Sequence, residues 1–155
     1  MREPKFFWED FTPGDVLEAT RAPVTKAEIL DFATEFDPQP FHLDEEAAKA
    51  SLLGGLCASG WHSCAMIMRM MCDAYILDSA SLGAPGVEEA RWSKPVFVGD
   101  VLTVRRTVLE SRPSASRPEM GLARIRWEAF NQNGEPVVTM SSWAMFKRRH
   151  AGEAA

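Results

Sequence analysis

The pattern of apolar and polar positions divides the chain into a helical first half and a strand-rich second half. Ile29, Phe32, Ala33 and Phe36 recur at the spacing of one helix face. Thr25 and Glu28 form an S/T-x-x-E capping box ahead of them, with Val24 and Ile29 in the flanking apolar positions. Asp37-Pro38 ends the helix, because proline disfavours helical backbone in the residue before it. A short second helix is expected after Asp44, which can cap EEAAKA. Residues 61–77, WHSCAMIMRMMCDAYIL, are apolar on nearly every face. A helix of that kind is buried, so something must wrap it.

The second half supplies the wrapping. Strands are expected at 88–97, 101–109, 122–131 and 137–147, with an earlier one running from 16 towards 24. Ala123, Ile125, Trp127 and Ala129 alternate with Arg124, Arg126 and Glu128, the two-residue period of a half-buried strand. Asn133-Gly134 signals a hairpin turn. Residues 111–119, with Pro113 and Pro118, read as a long hairpin connection. Gly14-Asp15-Val16-Leu17 is echoed at Gly99-Asp100-Val101-Leu102, and both look like a turn that opens a strand. The order strand, helices, four strands predicts an α+β fold in which a curved antiparallel sheet surrounds one long helix.

Composition narrows the function classes. At 155 residues the chain suits one domain, expected over 1–150, with 151–155 a mobile C-terminal tail. That size buries an adequate core without a disulfide or metal staple. Seventeen Lys and Arg against 22 Asp and Glu give a net charge of −5, a poor match for nucleic acid or an anionic membrane. Cys57, Cys64 and Cys72 are odd in number and form no CxxC, which argues against a disulfide framework or zinc site. The first residues carry no apolar secretory stretch. The most apolar run, 64–77, holds Arg69 and Asp73 and is too short to span a bilayer. A cytoplasmic protein is expected.

Two segments carry candidate chemistry. In Asp37-Pro38-Gln39-Pro40-Phe41-His42 a carboxylate and an imidazole lie five residues apart in a proline-stiffened loop. Together they can hold a water and move its protons. On spacing alone, Asp37 can equally cap a turn and His42 pack in the core. The second segment is Gly54-Gly55-Leu56-Cys57-Ala58-Ser59-Gly60, just before the apolar helix. Glycines let backbone approach a ligand, and a helix start offers free N–H groups to an oxygen gaining charge. The alternative is an ordinary loop with Ser59 as the helix cap.

Taken in order, these segments resemble the MaoC-type acyl dehydratases, the (R)-specific enoyl-CoA hydratase family with a hotdog fold. The family loop Asp-x-Asn-Pro-Leu/Ile-His is matched by residues Asp37 to His42. Its Gly-rich stretch ending in Ala-His-Gly is matched by Gly55 through Gly60. Lys94-Pro95-Val96-Phe97-Val98-Gly99-Asp100 resembles a Pro-Val-x-x-Gly-Asp connection, and 131–137 a late hairpin.

The resemblance implies hydration of a trans-2-enoyl thioester, or the reverse dehydration, with CoA or acyl carrier protein as the carrier. Asp37 and His42 would hold the water, and the Gly60 N–H would receive the thioester oxygen. Ser59, Gly55 and Phe41 would line the substrate site. No metal or cofactor is required, and a homodimer or a dimer of dimers is expected. Gln39, Phe41 and Ser59 depart from the family's Asn, aliphatic residue and His. A hotdog thioesterase and a non-catalytic acyl-CoA-binding subunit are the competing readings.

Other residues read as structural or unassigned. His62 can line the pocket but reads rather as packed or capping, Cys57 reads as structural, and Met66, Met68, Met70 and Met71 suit a deformable core or, alternatively, a tunnel wall. Arg91, Lys94, Arg105, Arg106, Lys147, Arg148 and Arg149 are the cations that could meet CoA phosphates. Phe6, Phe7 and Trp8 are expected to anchor the N-terminus on the sheet.

Overall fold

In the computed structural model, which describes residues 3–150, six antiparallel strands form one sheet. They are β1 (Val16–Thr20), β2 (Ser81–Gly83), β3 (Glu89–Trp92), β4 (Thr103–Pro113), β5 (Met120–Phe130) and β6 (Pro136–Lys147). The order is β1-β4-β5-β6-β2, and β3 also pairs with β6. β2 meets one end of β6, at Met145 and Phe146, while β3 meets Val138, Thr139, Met140 and Ser141. Four helices precede β2: α1 (Lys26–Phe36), α2 (Pro40–Leu43), α3 (Glu45–Ala50) and α4 (Gly60–Ala74).

The sheet follows its alternation. Ala123, Ile125 and Ala129 are buried. The intervening Arg124 reaches Glu88 and Glu110. α4 lies against the sheet, with Ile67 and Met71 fully buried among Val104, Val108, Ile125 and Phe146. The helix is not enclosed all round as its composition suggests. Trp61 is 64% exposed and Met68 43%, so one stripe faces outward. α4 also ends earlier than expected, because Tyr75 leaves helical geometry at φ −157 and a short 3-10 helix follows.

The predicted capping box is formed: Thr25 Oγ1 accepts from the Glu28 N–H at 3.1 Å, and the Thr25 N–H donates to Glu28 Oε2 at 2.8 Å. Ile29 and Ala33 are buried, whereas Phe36, at the end of α1, is exposed and rests against Phe32. Asp44 caps α3 by accepting from the Ala47 N–H. The two related turns are equivalent in geometry. Gly14 and Gly99 have φ of 94° and 90°, values that favour glycine. Asp15 accepts from the Thr12 N–H and Asp100 from the Phe97 N–H. The strands they introduce, β1 and β4, are paired.

Other parts of the chain also depart from the sequence pattern. The strand expected at 88–97 shortens to β3, because Ser93 and Lys94 both turn their N–H groups to the Val137 carbonyl. The segment expected as a proline-stiffened loop contains the one-turn helix α2, which Pro40 opens at a position where proline is favourable. β2 was not foreseen, since its three residues are all exposed and show no apolar alternation. The expected tail at 151–155 lies outside the described residues. Among the described residues no helix is long and apolar enough to cross a membrane.

The N-terminal aromatic anchor is centred on Trp8. Its Nε1–H donates to the Leu122 carbonyl at 3.3 Å, and its ring occupies the space a Cβ on Gly121 would need. Gly121→Ala is therefore expected to destabilise the fold by about 1–3 kcal/mol, the usual scale of overpacking. Urea denaturation checks this. In a Trp8→Ala background the same substitution should cost much less, and equal penalties in both backgrounds would disprove the contact's importance.

Candidate active site

The site is assembled where α1 ends and α4 begins. Asp37 is the C-cap of α1, with its N–H bound to the Ala33 carbonyl. The chain then turns through Gln39, whose carbonyl accepts from the His42 N–H at 2.9 Å. This turn folds a five-residue separation back on itself. His42 Nε2 comes to 3.5 Å from Asp37 Oδ2. From the other side, the Ala58 N–H donates to the Val96 carbonyl at 2.8 Å, and Cys57 pairs with Phe97. Those contacts tie the approach to α4 onto the connection before β4. A cavity of about 370 Å³ lies between, lined by Asp37, Phe41, His42, Ser59, Gly60 and Trp92 among others.

Hydrogen bonding fixes the histidine. His42 is buried, and its Nδ1 lies 2.9 Å from the Cys57 carbonyl oxygen. A carbonyl only accepts, so Nδ1 carries the proton in this bond. In the neutral ring Nε2 is then the lone-pair nitrogen, and it is the one directed at Asp37.

Asp37 is held from both sides. Ser59 Oγ donates to Oδ2 at 2.6 Å and Gln39 Nε2 donates to Oδ1 at 2.7 Å. The Ser59 hydrogen bond foremost holds the Asp37 carboxyl below its ordinary pKa, with help from Gln39 and His42 and against the opposing effect of burial. Asp37 is thus ionised at neutral pH. The substitution of Gln39 for the family's asparagine leaves the loop with amide support.

Gly60 is the first residue of α4, and among the described residues its N–H meets no acceptor. The glycine is explained by Trp92 rather than by a ligand's approach. Trp92 Nε1–H donates to the Gly60 carbonyl at 2.8 Å, and a Cβ at Gly60 would lie 2.7 Å from the indole. Ser59 occupies the N-cap position, but its side chain makes no capping hydrogen bond. Phe41 lines the cavity with its ring edge-on to His42. Gly55 is not among the lining residues; it sits against the Phe97 ring.

Several sequence candidates fall elsewhere. His62 is stacked on Phe32 at 4.7 Å, away from the cavity, and burial lowers its pKa. Cys57 contributes its carbonyl, while burial pushes its thiol up to about 11, so it is no nucleophile at neutral pH. Met66, Met70 and Met71 are core, and Met68 is exposed. Of the cations, Lys94 alone lines the cavity, paired with Glu135. Arg91 and Arg105 pair with Glu89 and Glu18, and Arg149 with Asp10. Arg106 is buried over the rings of Phe11 and Tyr75.

Sequence reasoning missed two participants. Trp92 reaches the site from β3, 32 residues beyond Gly60, and no local pattern announces it. The Cys57 carbonyl carries no sequence signal either, since every residue has a backbone carbonyl and only the fold brings this one to His42.

The family model of the MaoC like domain matches residues 10–124. The solved MaoC-like dehydratase of Rhodospirillum rubrum superposes with a TM-score of 0.86 at 43% identity, covering 94% of this chain and 99% of its own. The R-hydratase PhaJ1 of Pseudomonas aeruginosa, at 24% identity, shares the fold with a TM-score of 0.75 over 97% of this chain and 92% of its own. The mesaconyl-CoA hydratase of Cereibacter sphaeroides is 36% identical over 70 residues, which is 45% of this chain and 20% of that protein. With its curved sheet, its single long helix and this match over most of its length, the chain belongs to the MaoC-like dehydratase family of hotdog proteins.

Proposed function

We propose that the protein adds water to a trans-2-enoyl thioester, giving an (R)-3-hydroxyacyl thioester, and runs the reverse dehydration. The observation that carries this reading is the 3.5 Å approach of His42 Nε2 and Asp37 Oδ2 in a cavity that also holds the start of α4. Family membership supports the reaction class. The name of the Cereibacter enzyme supports a CoA thioester, with acyl carrier protein as the other carrier of the same chemistry.

The geometry suits a sequence of balanced steps. A water held by Asp37 Oδ2 and His42 Nε2 directs its oxygen at C3. As the C3–O bond forms, one water proton passes to the dyad, with Nε2 as the lone-pair acceptor. The C2=C3 electrons move towards the thioester carbonyl, whose oxygen gains negative charge. The Gly60 N–H, at the positive end of α4, stabilises that oxygen. The dyad then returns a proton to C2. Water is added and nothing is oxidised. Phe41 and Trp92 restrict the acyl group beside the dyad.

The proposal extends to assembly. The outward stripe of α4, with Trp61 and Met68, and exposed Val87, which shares a cavity with Met68, fit a homodimer contact. β2 and β3 each have a side without a strand partner among the described residues, and a second copy would protect such edges. Three free cysteines and a thioester substrate fit a cytoplasmic setting.

A panel of enoyl-CoAs tests the reaction, followed in parallel by enoyl absorbance and thiol release. Loss of absorbance without free thiol is expected. Thiol release would indicate a thioesterase, and neither change a binding subunit. Asp37→Asn and His42→Ala should each lower kcat by ~10²–10⁴-fold with the fold intact. The double variant should be scarcely worse than either single one. Full activity in Asp37→Asn would remove the dyad from the mechanism.

The donor at Gly60 is separable from its space requirement. Gly60→Ala and Gly60→Pro both add a Cβ against Trp92, but only proline removes the N–H. Ser59 has φ −49 and ψ 143, a conformation that tolerates a following proline. The proline variant should lose roughly 10²-fold in kcat beyond the alanine variant, the scale of one oxyanion donor. Equal losses would assign the glycine's importance to Trp92 packing alone.

For the assembly, sedimentation at micromolar concentration should show a dimer or a dimer of dimers. Replacing Met68 with Glu on the exposed stripe should shift it towards monomer. A stable wild-type monomer contradicts the assembly.

A further inference from the structure

The buried hydroxyl of Ser59 has a partner unusual for its place in the fold. A serine at a helix N-cap ordinarily turns its oxygen back to accept from an N–H of the first turn. Here the side chain makes no capping bond, although Ser59, with non-helical ψ of 143°, stands at the N-cap of a 15-residue helix. Its Oγ instead donates to Asp37 Oδ2, 22 residues earlier in the chain. The residue itself is completely buried, while the carboxylate it meets keeps an open side towards the cavity.

Direction matters. An ionised carboxylate has no proton to give, so the hydroxyl must be the donor. A charge-assisted O–H···O⁻ bond of 2.6 Å is short and directional. It lands on the same oxygen that lies 3.5 Å from His42 Nε2. Gln39 engages the opposite oxygen, Oδ1. The carboxylate therefore cannot rotate about its χ2 without breaking two hydrogen bonds, and the lone pairs of Oδ2 are divided between Ser59 and the His42 side.

We infer that Ser59 is a positioning residue, whose hydroxyl orients Asp37 Oδ2 towards the water shared with His42 and reserves that oxygen for it in the ionised state. This rests on the hydratase reading above. It departs from a substrate-binding role for the serine hydroxyl, because that hydroxyl's proton is already committed to Asp37. Substrate binding at the start of α4 is left to backbone N–H groups. Gln39 has the parallel task on Oδ1, but it is exposed and water can replace it. Ser59 is the partner without a substitute.

The titratable groups facing Asp37 are few. His42 faces it from α2, and the neutral Cys57 thiol lies beside His42 on the segment before α4. Lys94 lines the same cavity but is paired with Glu135. The sign of the pH effect follows. Asp37 is held below its ordinary pKa, with the Ser59 bond the largest cause, so wild-type activity persists as pH falls until Asp37 protonates. Removing the hydroxyl raises that point, and activity is lost at a higher pH.

The test uses the full chain with Ser59→Ala and Ser59→Cys, the latter near-isosteric with a weaker donor, and thermal melting to confirm folding. With an enoyl-CoA that the wild type hydrates, Ser59→Ala should lower kcat by roughly ten- to a hundredfold, the scale for losing a supporting hydrogen bond, with KM little changed. The acid limb of its pH profile should move to higher pH, and Ser59→Cys should fall between. An unchanged acid limb overturns the inference, whether kcat is retained or lost. So does a rise in KM at constant kcat, which would mean that the hydroxyl touches substrate. A carbon-13 NMR titration of the Asp37 carboxyl keeps the two proposals apart, because it needs no turnover. A titration point that rises from wild type to Ser59→Ala supports the coupling even if no enoyl thioester is hydrated, and an unmoved point refutes it even if one is.

Discussion

The site depends on the way α4 is seated. Ile67 and Met71 have to be buried against the curved sheet, which fixes the helix along its length. Its first turn is fixed separately. The Ala58 N–H is bound to Val96, and Trp92 is bound to the Gly60 carbonyl. Both attachments run to the segment around β3 and the connection leading to β4. The helix start is therefore held by distant parts of the chain, and its unpaired N–H groups point where the fold puts them. Rigid placement of donors is what makes them useful to an oxygen that acquires charge, because no reorganisation is needed when the charge appears.

The same seating organises the dyad. Cys57 precedes the helix by three residues, and its carbonyl sets the His42 tautomer. Ser59 precedes it by one and binds Asp37. Both dyad members arrive from the end of α1 and from α2, yet each is oriented by the approach to α4. A small shift of that approach would disturb the His42 ring, the Asp37 carboxylate and the Gly60 N–H together. This dependence explains why the segment is buried from Leu56 to Ser59 although it carries no regular secondary structure. Buried backbone groups need partners, and the bonds to Val96 and His42 supply them for the Ala58 N–H and the Cys57 carbonyl.

Much of this was legible in the sequence wherever the physics is local. The capping box, the proline that stops α1, the alternation of β5 and the paired Gly-Asp turns each depend on neighbours within a few residues. Asp37 and His42 stood out for the same reason. What escaped was non-local or unpatterned. Trp92 meets Gly60 only because the sheet brings β3 beside the helix start. β2 has no apolar face to betray it. The α4 sequence, read as apolar all round, in fact leaves Trp61 and Met68 exposed. Composition reports what a surface prefers, and exposure is decided by what the fold packs against it.

The start of α4 also shows stability set against function. A serine cap usually contributes about 1 kcal/mol to a helix through its accepting bond to the first turn. Ser59 forgoes that bond, so the N–H groups of the first turn keep no side-chain acceptor. The loss has two returns. Those N–H groups stay free for a ligand oxygen, and the hydroxyl is released to donate to a charge. The carboxylate it meets is well placed for a further reason, since negative charge near a helix N-terminus is favourable. Asp37 thus replaces part of the missing cap electrostatically while remaining available to water. An ordinary cap would satisfy the helix and leave the carboxylate to rotate. The arrangement seen here leaves the helix end unsatisfied and the carboxylate fixed, as expected where a site draws on local stability that the rest of the fold can supply.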